Sequence, residues 1–327
     1  MVILVTGSAG RIGGQLVGAL LARGESVRGF DLRASGCAHA RYSEVVGAFS
    51  DAEAAGRACE GARAVFHLGA FMSWAPGDQA KLFDANVEGT RVLLAAALAA
   101  KAGRFVFASS GEVYPENAPE YLPVDEAHPT KPGTAYGVTK LIGEELVKWA
   151  GRSAKLPFTI LRFSHTQAAS ELLDPDSFFS GPRFFLHSRI RQQEGLGNAA
   201  VVARLRAVDD GTPAMVLARN ENGRPFRMHI TDARDMVGGL LATLDSPATI
   251  GETYNLGATA PVDFAEALPK LAAVTGYPVR TVDLPGAGVW YETSNAKFRA
   301  ATGFEPAWPF ERMIGEAALA WQAKRKS

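Results

Sequence analysis

The sequence predicts an α/β protein with a doubly wound, parallel Rossmann-type sheet and a smaller C-terminal substrate-binding lobe. Three observations predict it. Short apolar runs alternate with helical stretches through the first half of the chain; a glycine-rich turn joins the first run to the first helix; and the alternation breaks after Phe163. Short buried runs linked by helices mean parallel strands with crossover connections.

The elements follow in order. Strands are expected at 2–5, 26–30, 42–46, 64–68, 105–108 and 158–163, and helices at 11–23, 52–59, 87–102 and 135–150. From 166 to 209 the chain reads as loop-rich and aromatic, with Phe178, Phe179, Phe184 and Phe185 among Arg183, His187, Arg189 and Arg191. Helical periodicity returns at 233–244, then a strand at 253–256, a helix at 263–275, a strand at 279–282 and a last helix at 309–323.

Composition excludes several classes of function. The chain has 327 residues and a net charge of zero, with no basic excess for a nucleic-acid partner. Only Lys324-Arg325-Lys326 clusters, and it reads as a solvated helix end. The apolar run 92–100 falls far short of the roughly 20 residues a membrane helix needs. The N-terminus reads as a buried strand and lacks the basic region of a signal peptide. Two cysteines, Cys37 in a surface connection and Cys59 near the end of a short surface helix, make no disulfide framework, so a cytoplasmic setting is expected. The six histidines show no metal-ligand spacing, so no metal is expected.

Gly7, Gly10 and Gly13 lie between the first strand and first helix, with Arg11 and Ile12 among them. Glycines there let backbone N–H groups approach a pyrophosphate, and the helix N-terminus adds its positive end. Asp31, followed by Leu32, ends the second strand, where a carboxylate accepts hydrogen bonds from adenosine ribose hydroxyls and repels a 2′-phosphate. NAD is the expected cofactor; Arg28 and Arg33 nearby keep a 2′-phosphate in play. Residues 1–165 then form the NAD-binding domain, with a return segment at about 229–257, and 166–327 are mainly the substrate lobe.

Tyr136 and Lys140 stand one turn apart on a predicted helix and share a face. A free tyrosine titrates near 10, and a neighbouring ammonium with a positive nicotinamide ring favours the phenolate. Ser110 leaves the end of a strand, where its hydroxyl can hold a substrate oxygen. Tyr136 as acid/base, with Lys140 and Ser110, suits hydride transfer at a carbinol carbon.

In these pieces the chain resembles the extended short-chain dehydrogenase/reductase family, which includes nucleotide-sugar epimerases and dehydratases. The matching residues are Gly7 to Gly13, Asp31, His67-Leu68-Gly69-Ala70, Asn86-Val87-Glu88-Gly89-Thr90, Ala108-Ser109-Ser110, Tyr136 to Lys140 and His229-Ile230-Thr231-Asp232. The resemblance implies that Leu68, Gly69 and Ala70 line the cofactor, with Ala108 and Ser109 beside it. It places Ala48 and Phe49 in the adenine-contacting segment, and Phe163, Ser164 and His165 near the nicotinamide. Asn86 would hold the adjoining loop, or act as a helix N-cap. The same resemblance implies a homodimer through the helices at 87–102 and 135–150.

Departures from the family pattern bear on substrate. His165 stands where nucleotide-sugar members carry Asn. Pro225 replaces an arginine, flanked by Arg224 and Arg227, and 283–287 lacks another. Loss of charge-assisted diphosphate contacts argues against a nucleotide sugar. Gly111 stands where dehydratases pair an Asp with the position of Glu112. Glu112 is thus a substrate ligand, a lone base or a structural carboxylate, and His165 a substrate contact or a core histidine. Trp74, in an aromatic loop, is a further substrate candidate. Arg183, Arg189 and Arg191 either meet an anion or are solvated loop charges. The expected function is an NAD-dependent oxidoreductase acting on a secondary alcohol or carbonyl of a small sugar-derived or acidic substrate. A sugar or nucleotide-sugar epimerase or dehydratase is the alternative.

Overall fold

The computed structural model describes residues 1–324, so Arg325 and Lys326 of the basic cluster lie outside the described residues. The chain opens with β1 (Val2–Thr6), α1 (Arg11–Ala22), β2 (Val27–Asp31), β3 (Tyr42–Val46), α2 (Ala52–Cys59) and β4 (Ala62–His67). It continues through α3 (Gln79–Phe83), α4 (Gly89–Ala99), β5 (Phe105–Ser110), α5 (Ala135–Ala154) and β6 (Phe158–Phe163). These strands and Glu252–Leu256 build a seven-stranded sheet in the order Glu252–Leu256, β6, β5, β4, β1, β2, β3. Every neighbouring pair is parallel. The strand order reverses at β1, which opens a crevice at the carboxyl ends of β1 and β4.

Burial on both faces explains the unbroken apolar runs. Leu4, Val65, Phe105, Phe107 and Ile160 point to one face and pack with Ala54 of α2, Val92 and Leu93 of α4, and Val147 of α5. Ile3, Val5, Phe66, Val106 and Leu161 point to the other, against Leu16, Val17 and Leu20 of α1 and Met236 and Leu240 of the helix Ala233–Asp245. A one-residue slip of a strand would exchange these two sets, so the register is firmly specified. Cys37 is exposed. Cys59 ends α2 but is buried in this packing, which pushes its thiol up to about 12.

The second half is more helical than its sequence suggests. The stretch read as loop contains helices Ser180–Phe184, Leu186–Gly195 and Ala199–Arg206. Their Phe184, Leu186, Ile190 and Leu205 are buried in a separate core with Met215, Phe264, Leu268 and Met313. Three short strand pairs complete this half: His165–Gln167 with Ile230–Asp232, Arg227–Met228 with Val262–Asp263, and Met215–Arg219 with Val279–Asp283. No helix among the described residues is long and apolar enough to cross a membrane.

Candidate active site

A groove of about 420 Å³ runs along the carboxyl ends of the strands, from Asp31 past the glycine turn to Tyr136 and His165. Backbone geometry makes the turn. Gly7 has φ +68°, a left-handed conformation that favours glycine, and a Cβ on Gly13 would lie 2.1 Å from the Gly7 carbonyl oxygen. The first turn of α1 has neither a side-chain cap nor an acidic residue, so its amides face the groove as anion donors. That uncapped helix start, opposite a strand-end carboxylate, fits a dinucleotide.

The cofactor candidates gather here. Gly7, Gly10, Arg11, Ile12 and Gly13 line the groove, with Asp31 and Leu32 at one end. Asp31 accepts a hydrogen bond from the Ala9 amide at 3.1 Å. Arg28 is turned away and donates to the Arg57, Ala58 and Glu60 carbonyls. Arg33 reaches the Ala9 carbonyl at 3.4 Å. Ala48 and Phe49 form one wall, and Leu68, Gly69 and Ala70 the floor. Phe49 crosses Gly69 so closely that a Cβ there would meet its ring at 2.2 Å. Arg11 also bridges the groove to the second half, donating to Glu171 at 2.9 Å and lying 5.4 Å from the centre of the Phe179 ring.

Asn86 does not line the groove; it is buried beneath it. Nor is it a helix cap. It lies in a π-helical turn, Asp84–Glu88, between α3 and α4. Its amide clamps Phe71, accepting from the Phe71 N–H at 2.8 Å and donating to its carbonyl at 2.9 Å. A further bond to Thr139 Oγ1, which donates to the Tyr136 carbonyl, ties this loop to α5.

Sequence reasoning missed the buried chain under the floor. Thr90 Oγ1 donates to the Asn86 carbonyl at 2.6 Å, so His67 Nε2, 3.0 Å away, is assigned as its donor. His67 Nδ1 then accepts from Thr6 Oγ1, which accepts from the Gly69 amide. Burial, then the Lys140 charge, lowers His67 to about 3 and keeps it neutral. The signal was His67 ending a strand, without a visible partner.

Tyr136, Lys140 and Ser110 meet on one wall. Thr134 caps α5 by accepting from the Gly137 amide, which starts the helix just before Tyr136. Gly137 is required: a Cβ would lie 2.3 Å from the Glu112 carbonyl oxygen. Lys140 Nζ donates to the Ala108 carbonyl at 2.8 Å and lies 5.7 Å from the Tyr136 ring centre. The phenol pKa departs from the sequence expectation: burial, then the Glu112 charge, pushes it up from 10 in the protein alone. Burial lowers Lys140 to about 8. Ser110 Oγ accepts from the Glu112 amide at 3.1 Å. Ser109 lines the groove too, but its hydroxyl donates to Glu144 at 2.6 Å. Glu144 and Arg162 form a buried bidentate ion pair at 2.8 Å under this wall. Ala108 completes it.

Beyond Ser110 the groove is bounded by Glu112, Glu116, Phe163, Ser164 and His165. Burial, then the Glu116 charge, raises Glu112. Glu112 accepts from Thr134 Oγ1 at 2.6 Å and from Trp74 Nε1 at 3.2 Å. Trp74 is thus a partner of Glu112 and not a lining residue; it stacks on Phe178 at 5.3 Å. Ser164 bonds Thr231 Oγ1 at 2.6 Å. His165 Nε2 lies 3.4 Å from Glu116 and its Nδ1 3.4 Å from Arg183. Glu116, Thr166 and Phe179 line the groove without any local motif to announce them.

The chain is similar to several known proteins. A short-chain dehydrogenase/reductase superfamily protein from Agrobacterium tumefaciens, crystallised with bound NAD, is 60% identical over 99% of this chain and 98% of its own, with a TM-score of 0.96. UDP-glucose 4-epimerase of Halalkalibacterium halodurans is 28% identical over 98% of this chain and 95% of its own. Sterol demethylase protein B of Methylococcus capsulatus is 41% identical over 44% of this chain; the match spans 45% of that protein, less than half its length. The model of the NAD dependent epimerase/dehydratase family matches residues 3–257. The chain belongs to that family, and its cofactor is NAD.

Proposed function

We propose that the protein is an NAD-dependent oxidoreductase that interconverts a secondary alcohol and a carbonyl in a small sugar-derived or acidic substrate. The observation that carries this reading is the meeting of Ser110, Tyr136 and Lys140 on the wall of a groove whose far end holds the glycine turn and Asp31. NAD supplies the hydride acceptor or donor when bound. Asp31 would hold the adenosine ribose, the first turn of α1 the pyrophosphate and Lys140 the nicotinamide ribose. Ser110 orients the substrate oxygen. Tyr136 takes or returns the proton at its hydroxyl, and the Lys140 charge favours the phenolate during transfer.

The groove suits a small substrate. Arg224 and Arg227 lie against Trp290, at 4.8 and 5.2 Å from its ring centre, and Arg227 pairs with Glu292 at 3.2 Å. Glu292 thus partly offsets the Arg227 charge. A side chain at Gly111 would crowd the Tyr291 hydroxyl, 3.2 Å from a Cβ, so Glu112 stands without the second acid of a dehydratase pair. The whole-length likeness to UDP-glucose 4-epimerase supports the second reading, a reaction that returns NAD to its starting state in each turnover. Incubation with NAD and a panel of polyols, sugar acids and nucleotide sugars separates the two. Accumulating NADH supports the oxidoreductase; product formation without NADH overturns it in favour of the epimerase.

A further inference from the structure

We propose that the Arg11–Glu171 ion pair is a latch across the cofactor groove, and that NAD enters and leaves only when it opens. The inference concerns cofactor exchange and holds for either reading of the reaction above. Arg11 is the first residue of α1, directly after Gly10, on the turn whose amides face the groove. Its guanidinium reaches across to the second half of the chain. Nε donates to Glu171 Oε1 at 2.9 Å, Nη2 lies 2.9 Å from the same oxygen, and Nη1 donates to the Thr166 carbonyl at 3.4 Å. The group also lies 5.4 Å from the centre of the Phe179 ring. Arg11, Thr166 and Phe179 all line the groove.

All three guanidinium nitrogens thus meet an acceptor of the second half. A charge placed on this turn to hold the cofactor would keep donors free for it. Both anchors are firm. Glu171 closes the short turn Ala169–Glu171, its Oε2 accepting from the Ala168 amide at 3.4 Å. Ala169, Leu172 and Leu173 around it are buried in the second core with Phe184 and Met313. On the other side, α1 buries Leu16, Val17 and Leu20 against the sheet. The pair therefore ties two separately packed cores together across the groove. A second contact continues the closure: Trp74, on the loop after β4, stacks on Phe178 at 5.3 Å, and Phe178 meets Phe179 edge-on at 5.0 Å.

A guanidinium–carboxylate contact is directional, so its bonds break together when the two walls part. Both partners are part-buried, and a pair of that kind is weak enough to open often. On this proposal the same contact is made before and after the cofactor enters. A contact common to both states cannot shift the equilibrium between them. Its energy falls in the barrier to exchange and cancels from the affinity.

Exchange is read with the cofactor alone, without any substrate. Stopped-flow fluorescence follows NADH binding to the protein, and then its release when the complex is mixed with excess NAD. Arg11→Met and Glu171→Gln are each expected to speed both association and release by ~2–5-fold, the range for a part-exposed ion pair. NADH affinity should move by far less than either rate. The double variant should be no faster than either single one, because both remove the same contact. Arg11→Lys, which keeps the charge and loses the fork, should fall between wild type and Arg11→Met. Melting temperatures without cofactor show which variants are folded, and the isosteric Glu171→Gln decides the matter if Arg11→Met does not fold. Faster release in Arg11→Met alone would make Arg11 a direct cofactor ligand and overturn the latch. So would faster release with unchanged association, additive effects in the double variant, or unchanged rates in both single variants, the result expected of an ion pair with no part in exchange.

Discussion

Replacing Lys140 with methionine should make the cofactor-free protein more stable while abolishing turnover. Lys140 is 3% exposed, and its ammonium has one hydrogen-bond acceptor, the Ala108 carbonyl at 2.8 Å, with the rings of Phe107 and Tyr136 at 5.2 and 5.7 Å. Burial lowers its pKa from 10.5 to about 8. At 1.36 kcal/mol per pKa unit, that fall disfavours the charged form by about 3 kcal/mol. Methionine keeps the apolar stem and removes the charge, at the loss of one hydrogen bond worth ~1 kcal/mol. The net expectation is a gain on the order of 2 kcal/mol near neutral pH, read as a rise of several degrees in melting temperature.

The pH dependence gives the sharper check. Between about 8 and 10.5 the unfolded chain binds a proton at this lysine that the folded chain has released. Wild-type stability therefore rises with pH through that window, and the variant lacks this rise. The difference in melting temperature should be largest near neutral pH and narrow toward the alkaline end. A variant that melts below wild type at neutral pH, or a difference that ignores pH, would refute the reasoning. A gain in stability together with loss of turnover would mark Lys140 as kept for function and not for folding.

Three other predictions follow from the same geometry. Tyr136→Phe should lower turnover by roughly 10²–10⁴, the usual contribution of general acid–base catalysis, with NAD-induced thermal stabilisation retained; near-normal rates would remove Tyr136 from its role. Glu144→Gln should leave Arg162 buried without its counter-charge and destabilise the protein by about 3–5 kcal/mol, measured by denaturant or thermal melts; an unchanged melt would show that the pair is dispensable. Asp31→Ala should shift the ratio of NADP to NAD affinity by ~10-fold or more toward NADP, since a carboxylate beside a phosphate repels it; an unchanged ratio in titrations would move the ribose contact elsewhere.

The first half of the chain was legible because local patterns there coincide with tertiary demands. β3, α2 and β6 fall at the residues their periodicity marks, and the sheet's two buried faces are written as alternate residues of the same apolar runs. The groove was legible for the same reason: in a parallel sheet, strand ends gather on one edge, so Gly7, Asp31, Gly69, Ser110 and His165 meet without any knowledge of side-chain packing. Two things were not. The helices between Ser180 and Arg206 escaped because Phe184, Phe185 and Leu186 are consecutive and all buried, which erases a period of 3.6.

The phenol's environment escaped for a different reason. The one-turn spacing of Tyr136 and Lys140 is visible in sequence, but the direction of the ammonium is set by a carbonyl on β5, and Glu112 approaches from the turn after it. The lining at the other end of the groove has the same character. Glu116, His165 and Phe179 come from segments that no local window spans. That end of the groove, lined by His165, Thr166 and Phe179, is therefore set by the packing of the second half, while the glycine turn and the Tyr136–Lys140 spacing are written in the motifs of the first.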